Sequence, residues 1–148
     1  VERNPEYQLT PQDIYQFELR QGERIPKGAV VLLLTGQGRY WPDVLKYRGL
    51  KPPDMMMRFP GFGKDAVEFL ILERNIRGLG IDTLSVDFGP STTFQTHKAV
   101  LGANRYIIEN LTNLENLPPL GALLIVAPLK IDKGSGAPAR VLALVPEK

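Results

Sequence analysis

The stretch Gly80-Ile81-Asp82-Thr83-Leu84-Ser85-Val86-Asp87-Phe88-Gly89-Pro90-Ser91, continued through Phe94-Gln95-Thr96-His97 to Ile107-Ile108-Glu109-Asn110-Leu111, decides how the rest of the chain is read. Acidic and hydroxyl side chains stand here between apolar segments, with glycine and proline where the backbone must turn. His97, in this stretch, is the only histidine of the sequence. A neutral imidazole nitrogen and a carboxylate oxygen both suit zinc or manganese, which marks His97 and Glu109 as candidate metal ligands. Two ligands alone do not make a site.

Outward from this stretch the pattern alternates between strand and helix. Ala29 to Leu34 is an apolar run of strand length and reads as a strand buried on both faces. Lys64 to Arg77 reads as a helix whose repeat is set by Ala66, Val67, Leu70, Ile71 and Arg74, with Gly78 and Gly80 as its stop. Ile81 to Val86 follows as a strand, so the unit is strand, loop, helix, strand, and an α/β fold with a mixed or parallel sheet is expected. His97 opens a short helical stretch with Val100 and Leu101, and Arg105 to Ile108 is a strand ending at Glu109.

Nearer the start, Thr10-Pro11-Gln12-Asp13 is a helix beginning, with Thr10 as N-cap and Pro11 in the first helical position. Ile14, Phe17 and Leu19, with Tyr15 and Leu19 as an i, i+4 pair, offer a packing face, and Gly22 ends the helix. Gly121 to Ala127 and Val141 to Val145 are the last two strands, both apolar enough to be central, joined by the turn formers Asp132 to Gly136. Asp132 and Lys133 there read as solvated turn charges ahead of a role at a site mouth.

Other features have two accounts each. Tyr40, Trp41 and Tyr47 fall in a loop-like segment from Gly36 to Pro53, where they either line a pocket or cover an apolar edge. Met55-Met56-Met57 cannot share one face and fits gap-filling. Gly61-Phe62-Gly63 lacks the Gly-Lys-Ser/Thr ending of a phosphate loop. Asn110-Leu111-Thr112 has the form of a glycosylation acceptor, but beside Glu109 it is expected to be buried and unmodified.

Together these strings resemble the metal-dependent cyclase or kynurenine formamidase superfamily, and most closely its isatin hydrolase-like members. Gly80 to Asp87 looks like the family's strand and loop leading to the site. Gly89-Pro90-Ser91 through Thr96-His97 resembles the loop that delivers a histidine, and Ile108 to Leu114 the glutamate segment. Ala127 to Ile131, with Gly134 to Arg140, is similar to the closing hairpin. The match covers the second half of the chain well and the part from Leu34 onward more loosely.

The resemblance implies a swivelling β/β/α, cyclase-like mixed-sheet fold. In it a zinc or manganese ion polarises an amide carbonyl and activates water to cleave a non-peptide amide, a cyclic aryl amide such as isatin or an N-formyl aryl amine such as N-formylkynurenine. His97 and Glu109 would then be metal ligands and catalytic groups: Glu109 as ligand or base, His97 as ligand or oxyanion donor. Asp87 and Ser91 would orient His97 or carry protons, and Trp41 would touch the substrate. The family's His-x-Gly-Thr-His-x-Asp-x-Pro-x-His segment is absent from the sequence. The expectation is therefore a single cyclase-like domain over residues 1–148, the C-terminal part of a fold whose metal-motif portion is missing. A second chain would supply the missing ligands, and the family suggests a homo-oligomer. The competing expectation is a non-catalytic structural or interaction protein, or a fragment, that kept the cyclase core.

Composition sets the outer bounds. With 148 residues, 43% hydrophobic and 23% charged, the sequence has the make-up of an ordinary globular domain. A net charge of +2 with scattered Lys and Arg argues against a nucleic-acid partner. No apolar run is long enough to expect a membrane span, and no signal peptide opens the sequence. The absence of cysteine mildly favours a cytoplasmic location and leaves secretion open. Val1 in place of methionine points to processing or an incomplete chain.

Overall fold

The computed structural model describes residues 4–147, which divide into two compact units, one up to Leu114 and one from Glu115. In the first, β1 (Gln8–Leu9) leads into α1 (Pro11–Gln21), β2 (Val30–Leu33), α2 (Val44–Tyr47) and β3 (Gly61–Phe62). Then follow α3 (Lys64–Arg74), β4 (Gly78–Ile81), α4 (Gln95–Gly102) and β5 (Tyr106–Ile108).

The local chemistry of α1 is as expected. Thr10 Oγ1 accepts from the Asp13 N–H, the Asp13 carboxylate accepts from the Thr10 N–H, Pro11 opens the helix and Gly22 closes it at φ 72°. Its packed face differs from expectation. Ile14 and Glu18 are buried, whereas Tyr15 and Leu19 are 45% and 74% exposed, so that pair does not face the core. Glu18 meets Arg74 of α3, with its oxygens 2.7 Å from Nε and 2.9 Å from a terminal nitrogen. A sixth of the way along the chain, this carboxylate also accepts from the Ile25 N–H at 2.9 Å.

Helix α3 ends three residues earlier than the sequence implies. Asn75, at φ 49°, takes the left-handed position that closes it. Gly78 and Gly80 stop nothing; they lie inside β4, the central strand of a parallel sheet ordered β2-β4-β5, with Leu32 and Ile108 flanking Gly80. Their lack of a Cβ is a packing requirement, because one on Gly80 would strike Leu32 Cδ2 and come within 2.7 Å of Leu111 Cδ1. The strand expected over Ile81 to Val86 thus sits over Gly78 to Ile81, and the chain leaves the sheet at Asp82. Strand β2 is an edge strand and only half-buried, not sealed on both faces as its apolar run suggested.

The core gathers Ile14, Phe62, Val67, Leu70, Ile76, Leu79, Ile81, Val86 and Val100 between the helices and this sheet. Met55, Met56 and Met57 are 47%, 49% and 40% exposed, so the triplet fills no gap. The segment from Gly36 to Pro53 is loop apart from a 3-10 turn at Gln37–Tyr40 and α2.

In the second unit, β6 (Leu123–Pro128) pairs antiparallel with β7 (Ala139–Leu144), Ile125 opposite Leu142. The two strands form a two-stranded sheet, so neither is central, and Leu123, Ile125, Leu142 and Leu144 are exposed on it. Asp132 and Lys133 lie exposed in the connecting turn. Among the described residues no helix is long and apolar enough to cross a membrane.

Candidate functional site

The three parallel strands β2, β4 and β5 end at one edge, and Thr35, Asp82 and Glu109 lie one or two positions past their carboxyl ends. That edge is where open α/β sheets place their ligands. Asp82 is 2% exposed. Its carboxylate accepts from the Thr35 N–H at 2.9 Å, the Thr35 hydroxyl at 2.8 Å and the Gly36 N–H at 2.8 Å. These bonds tie the loop after β2 to the loop after β4.

The loop then runs to Asp87, 3% exposed, which ends on the amino terminus of α4. Oδ1 of Asp87 accepts from the Thr96 N–H at 2.9 Å and Oδ2 from the His97 N–H at 3.2 Å. Helix α4 has no cap from its own N-cap residue, so a carboxylate nine residues back does that work, at the end where the helix dipole favours negative charge. The same Oδ2 lies 2.6 Å from His97 Nδ1. A carboxylate can only accept, so Nδ1 carries the proton and the imidazole is held in one orientation.

Nε2 of His97 is thereby aimed at Glu109, with Oε1 at 3.3 Å. Glu109 is itself steadied by the Val86 N–H, which donates to Oε1 at 3.0 Å. Both side chains are about one-quarter exposed. In the neutral tautomer set by Asp87, Nε2 is a lone pair facing a carboxylate oxygen. A proton shared between them or a cation held by both satisfies that arrangement.

Of the sequence-derived candidates, the fold brings together His97, Glu109 and Asp87. Ser91 stays on the approaching loop, where its hydroxyl oxygen accepts from the Phe94 N–H at 3.3 Å. Trp41 is 66% exposed and packs edge-on against Tyr47, ring centroids 5.6 Å apart. Tyr47 is a site neighbour that sequence reading left undistinguished from Tyr40 and Trp41. It is 5% exposed, and its hydroxyl donates to Asn110 Oδ1 at 2.7 Å. Burial, together with the Asp82 and Glu109 charges, pushes its phenol up to about 12. Asn110 is exposed, not buried, and at φ 57° it turns the chain directly after Glu109. Asp82 and Tyr47 carried no signal separating them from other polar residues, because their roles rest on partners 47 and 63 positions away. Among the described residues no group of three or more His, Cys, Asp or Glu side chains could hold a metal ion.

Comparison with known proteins bears on the family and the fold. A family model described as "Putative cyclase" matches residues 1–88. The chain is 34% identical over 148 residues to an isatin hydrolase of Roseibium aggregatum, covering 97% of this chain and 55% of that protein. It is 34% identical over 73 residues to a kynurenine formamidase of Polaromonas naphthalenivorans, covering 49% of this chain and 32% of that protein. Among solved structures, isatin hydrolase A from Ralstonia solanacearum superposes with a TM-score of 0.89 at 40% identity, over 99% of this chain and 56% of that one. A structure described as "Potential Metal-Dependent Hydrolase With Cyclase Activity" superposes at 0.69 with 29% identity, over 95% of this chain and 60% of that one. The chain thus spans about half the length of the curated isatin hydrolase it matches. Its fold is the mixed α/β, cyclase-like fold of those structures, its named relatives are hydrolases, and the chain belongs to the cyclase family.

Proposed function

We propose that this chain is the C-terminal part of a metal-dependent hydrolase that opens a non-peptide amide, a cyclic aryl amide such as isatin or an N-formyl aryl amine such as N-formylkynurenine. The observation that carries the reading is the Asp87, His97, Glu109 line, in which two acceptor atoms face each other at 3.3 Å with no donor between them. That donor set fits a divalent ion: one imidazole nitrogen and one carboxylate oxygen, each on a side chain about one-quarter exposed, suit zinc or manganese. His97 Nε2 and Glu109 Oε1 would hold it, and the remaining ligands would come from chain beyond these residues or from a second polypeptide, in an assembly of several subunits.

A bound ion there would supply Lewis-acid polarisation of the amide carbonyl and a water acidic enough to react near neutral pH. Asp87 keeps the His97 proton on Nδ1, so that the Nε2 lone pair stays free for the ion and His97 is a ligand and not an oxyanion donor. Glu109 is the base within reach of the attacking water's proton, and the Val86 N–H fixes which of its oxygens faces His97. Asp82 and Tyr47 act from outside, by holding the loops that bring Asp87 and Glu109 together.

Because the described residues place only two ligand atoms together, a non-catalytic role for the chain is the second reading. Zinc titration separates the two. In His97-labelled protein, Zn2+ should shift the imidazole resonance, and Glu109→Gln should weaken that response by at least about tenfold, a loss typical of a removed ligand-shell partner. Equal affinity in both proteins removes the metal reading. Chelator-sensitive cleavage of an aryl amide by native material, with a second polypeptide or a longer chain present, would set aside the non-catalytic one.

A further inference from the structure

Phe94 is an aromatic residue in a conformation that aromatic residues avoid. Its φ is 51° in the left-handed region, yet it is the residue that starts α4. Such backbone strain costs of order 1 kcal/mol and is found where the surrounding structure over-determines it. Here the restraint comes from both sides of the residue. The Phe94 N–H donates to Ser91 Oγ at 3.3 Å, and the Phe94 carbonyl accepts from the Lys98 N–H at 3.0 Å.

Neither stability nor helix capping accounts for a phenyl ring at this position. The ring is 51% exposed, so it gives little to the core, and the cap of α4 is supplied by Asp87. What the strained backbone does accomplish is placement. The Phe94 ring stands edge-on to the His97 ring, centroids 5.9 Å apart at an interplanar angle of 87°, with half of its surface open.

We propose that Phe94 is the residue that selects for an aryl group: its open surface is one wall of the binding site, against which the flat ring of the substrate stacks while the carbonyl lies at His97 and Glu109. The inference rests on the aryl-amide reading of the site but is tested by binding alone. Ser91 is a positioning residue for this wall, through its hydrogen bond to the Phe94 N–H.

The test uses the single imidazole signal of His97 in the metal-free chain, titrated with benzamide and with its saturated counterpart cyclohexanecarboxamide. An aromatic pair contributes enough for benzamide to bind about fivefold more tightly in wild type. Phe94→Gly and Phe94→Leu should bring the ratio close to one, and Phe94→Tyr should keep it. Glycine is at ease at this φ, so Phe94→Gly should melt no lower than wild type, which separates loss of the wall from loss of fold. An unchanged ratio in Phe94→Gly, or a wild-type imidazole indifferent to benzamide, overturns the proposal. A ratio that behaves as expected, together with equal Zn2+ affinity in wild type and Glu109→Gln, upholds the aryl wall and removes the metal-hydrolase reading instead.

Discussion

Replacing Asp87 by asparagine exchanges one oxygen for an NH2 and tests the geometry on which the site depends. The carboxylate accepts three hydrogen bonds, from Thr96 N, His97 N and His97 Nδ1, and is 3% exposed. In the amide one oxygen becomes an NH2, which can only donate. If the oxygen is kept toward Thr96, the NH2 faces the His97 N–H and ring; if it is turned toward His97, the NH2 faces the Thr96 N–H. Either way one buried donor is left unpaired, at about 1–3 kcal/mol. The charge that complements the amino terminus of α4 also goes, at about 0.3–1 kcal/mol. The expected loss is about 3 kcal/mol in total, seen in urea denaturation as a lower midpoint with an unchanged slope. A second readout is specific to the site. With an NH2 opposite it, Nδ1 becomes the acceptor and the His97 proton moves to Nε2, which nitrogen NMR of the single imidazole detects. A stability loss below about 0.5 kcal/mol, the range of surface substitutions, with the tautomer unchanged would refute the assignment of Asp87 as both helix cap and imidazole anchor.

Two further outcomes follow from the packing. The Arg74 guanidinium holds the Glu18 carboxyl below its ordinary value of 4.5. A carboxyl lowered in the folded state stabilises at pH above its unfolded value, and that contribution fades as pH falls through the folded one. Glu18→Gln should therefore cost about 3 kcal/mol at pH 7, the penalty for leaving a buried charge unpaired, and less at pH 3. A deficit equal at both pH values in denaturation curves would contradict it. Gly61→Ala and Gly80→Ala should differ although both glycines are buried. At Gly61 a Cβ meets the backbone at Phe88 N, Asp87 C (2.6 Å) and Val86 O (2.6 Å), which cannot yield, whereas at Gly80 it meets the tips of Leu32 and Leu111. The first should lose about 3 kcal/mol and disturb the His97 resonance, and the second about 1 kcal/mol with that resonance in place. The reverse order would mean that the site loop is not seated on β3.

The parts of the fold that were legible in the sequence are those fixed by neighbours in the chain. Thr10, Pro11, Asp13 and Gly22 each act within one turn of where they stand, and the bounds of α1 follow from them. His97 and Glu109 stand out in the sequence because one is the only histidine and the other directly follows an apolar strand, and the fold brings the two side chains together. What was misread depends on distance. Gly78 and Gly80 carry the same letters whether they stop a helix or admit the side chains of Leu32 and Tyr106, and only the sheet order decides. Tyr15 and Leu19 have the spacing of a packing pair, but a polar residue, Glu18, takes the buried position because Arg74 waits across from it. For β6 and β7 the apolar pattern fits a central strand and an open-faced hairpin alike.

The bonds that hold the site edge together join residues far apart in sequence: Thr35 to Asp82 across 47 positions, Val86 to Glu109 across 23, Tyr47 to Asn110 across 63. The sheet beneath them is wholly parallel, so no short hairpin can seed it. Each such closure loses chain entropy before any contact repays it, which makes assembly slow. Helices α1 and α3 can form early from local signals, while His97 and Glu109 come face to face only when β2, β4 and β5 are already in register. The chemistry-bearing edge therefore cannot exist before that sheet does, and a chain in which the sheet is not yet formed carries both residues without carrying the site.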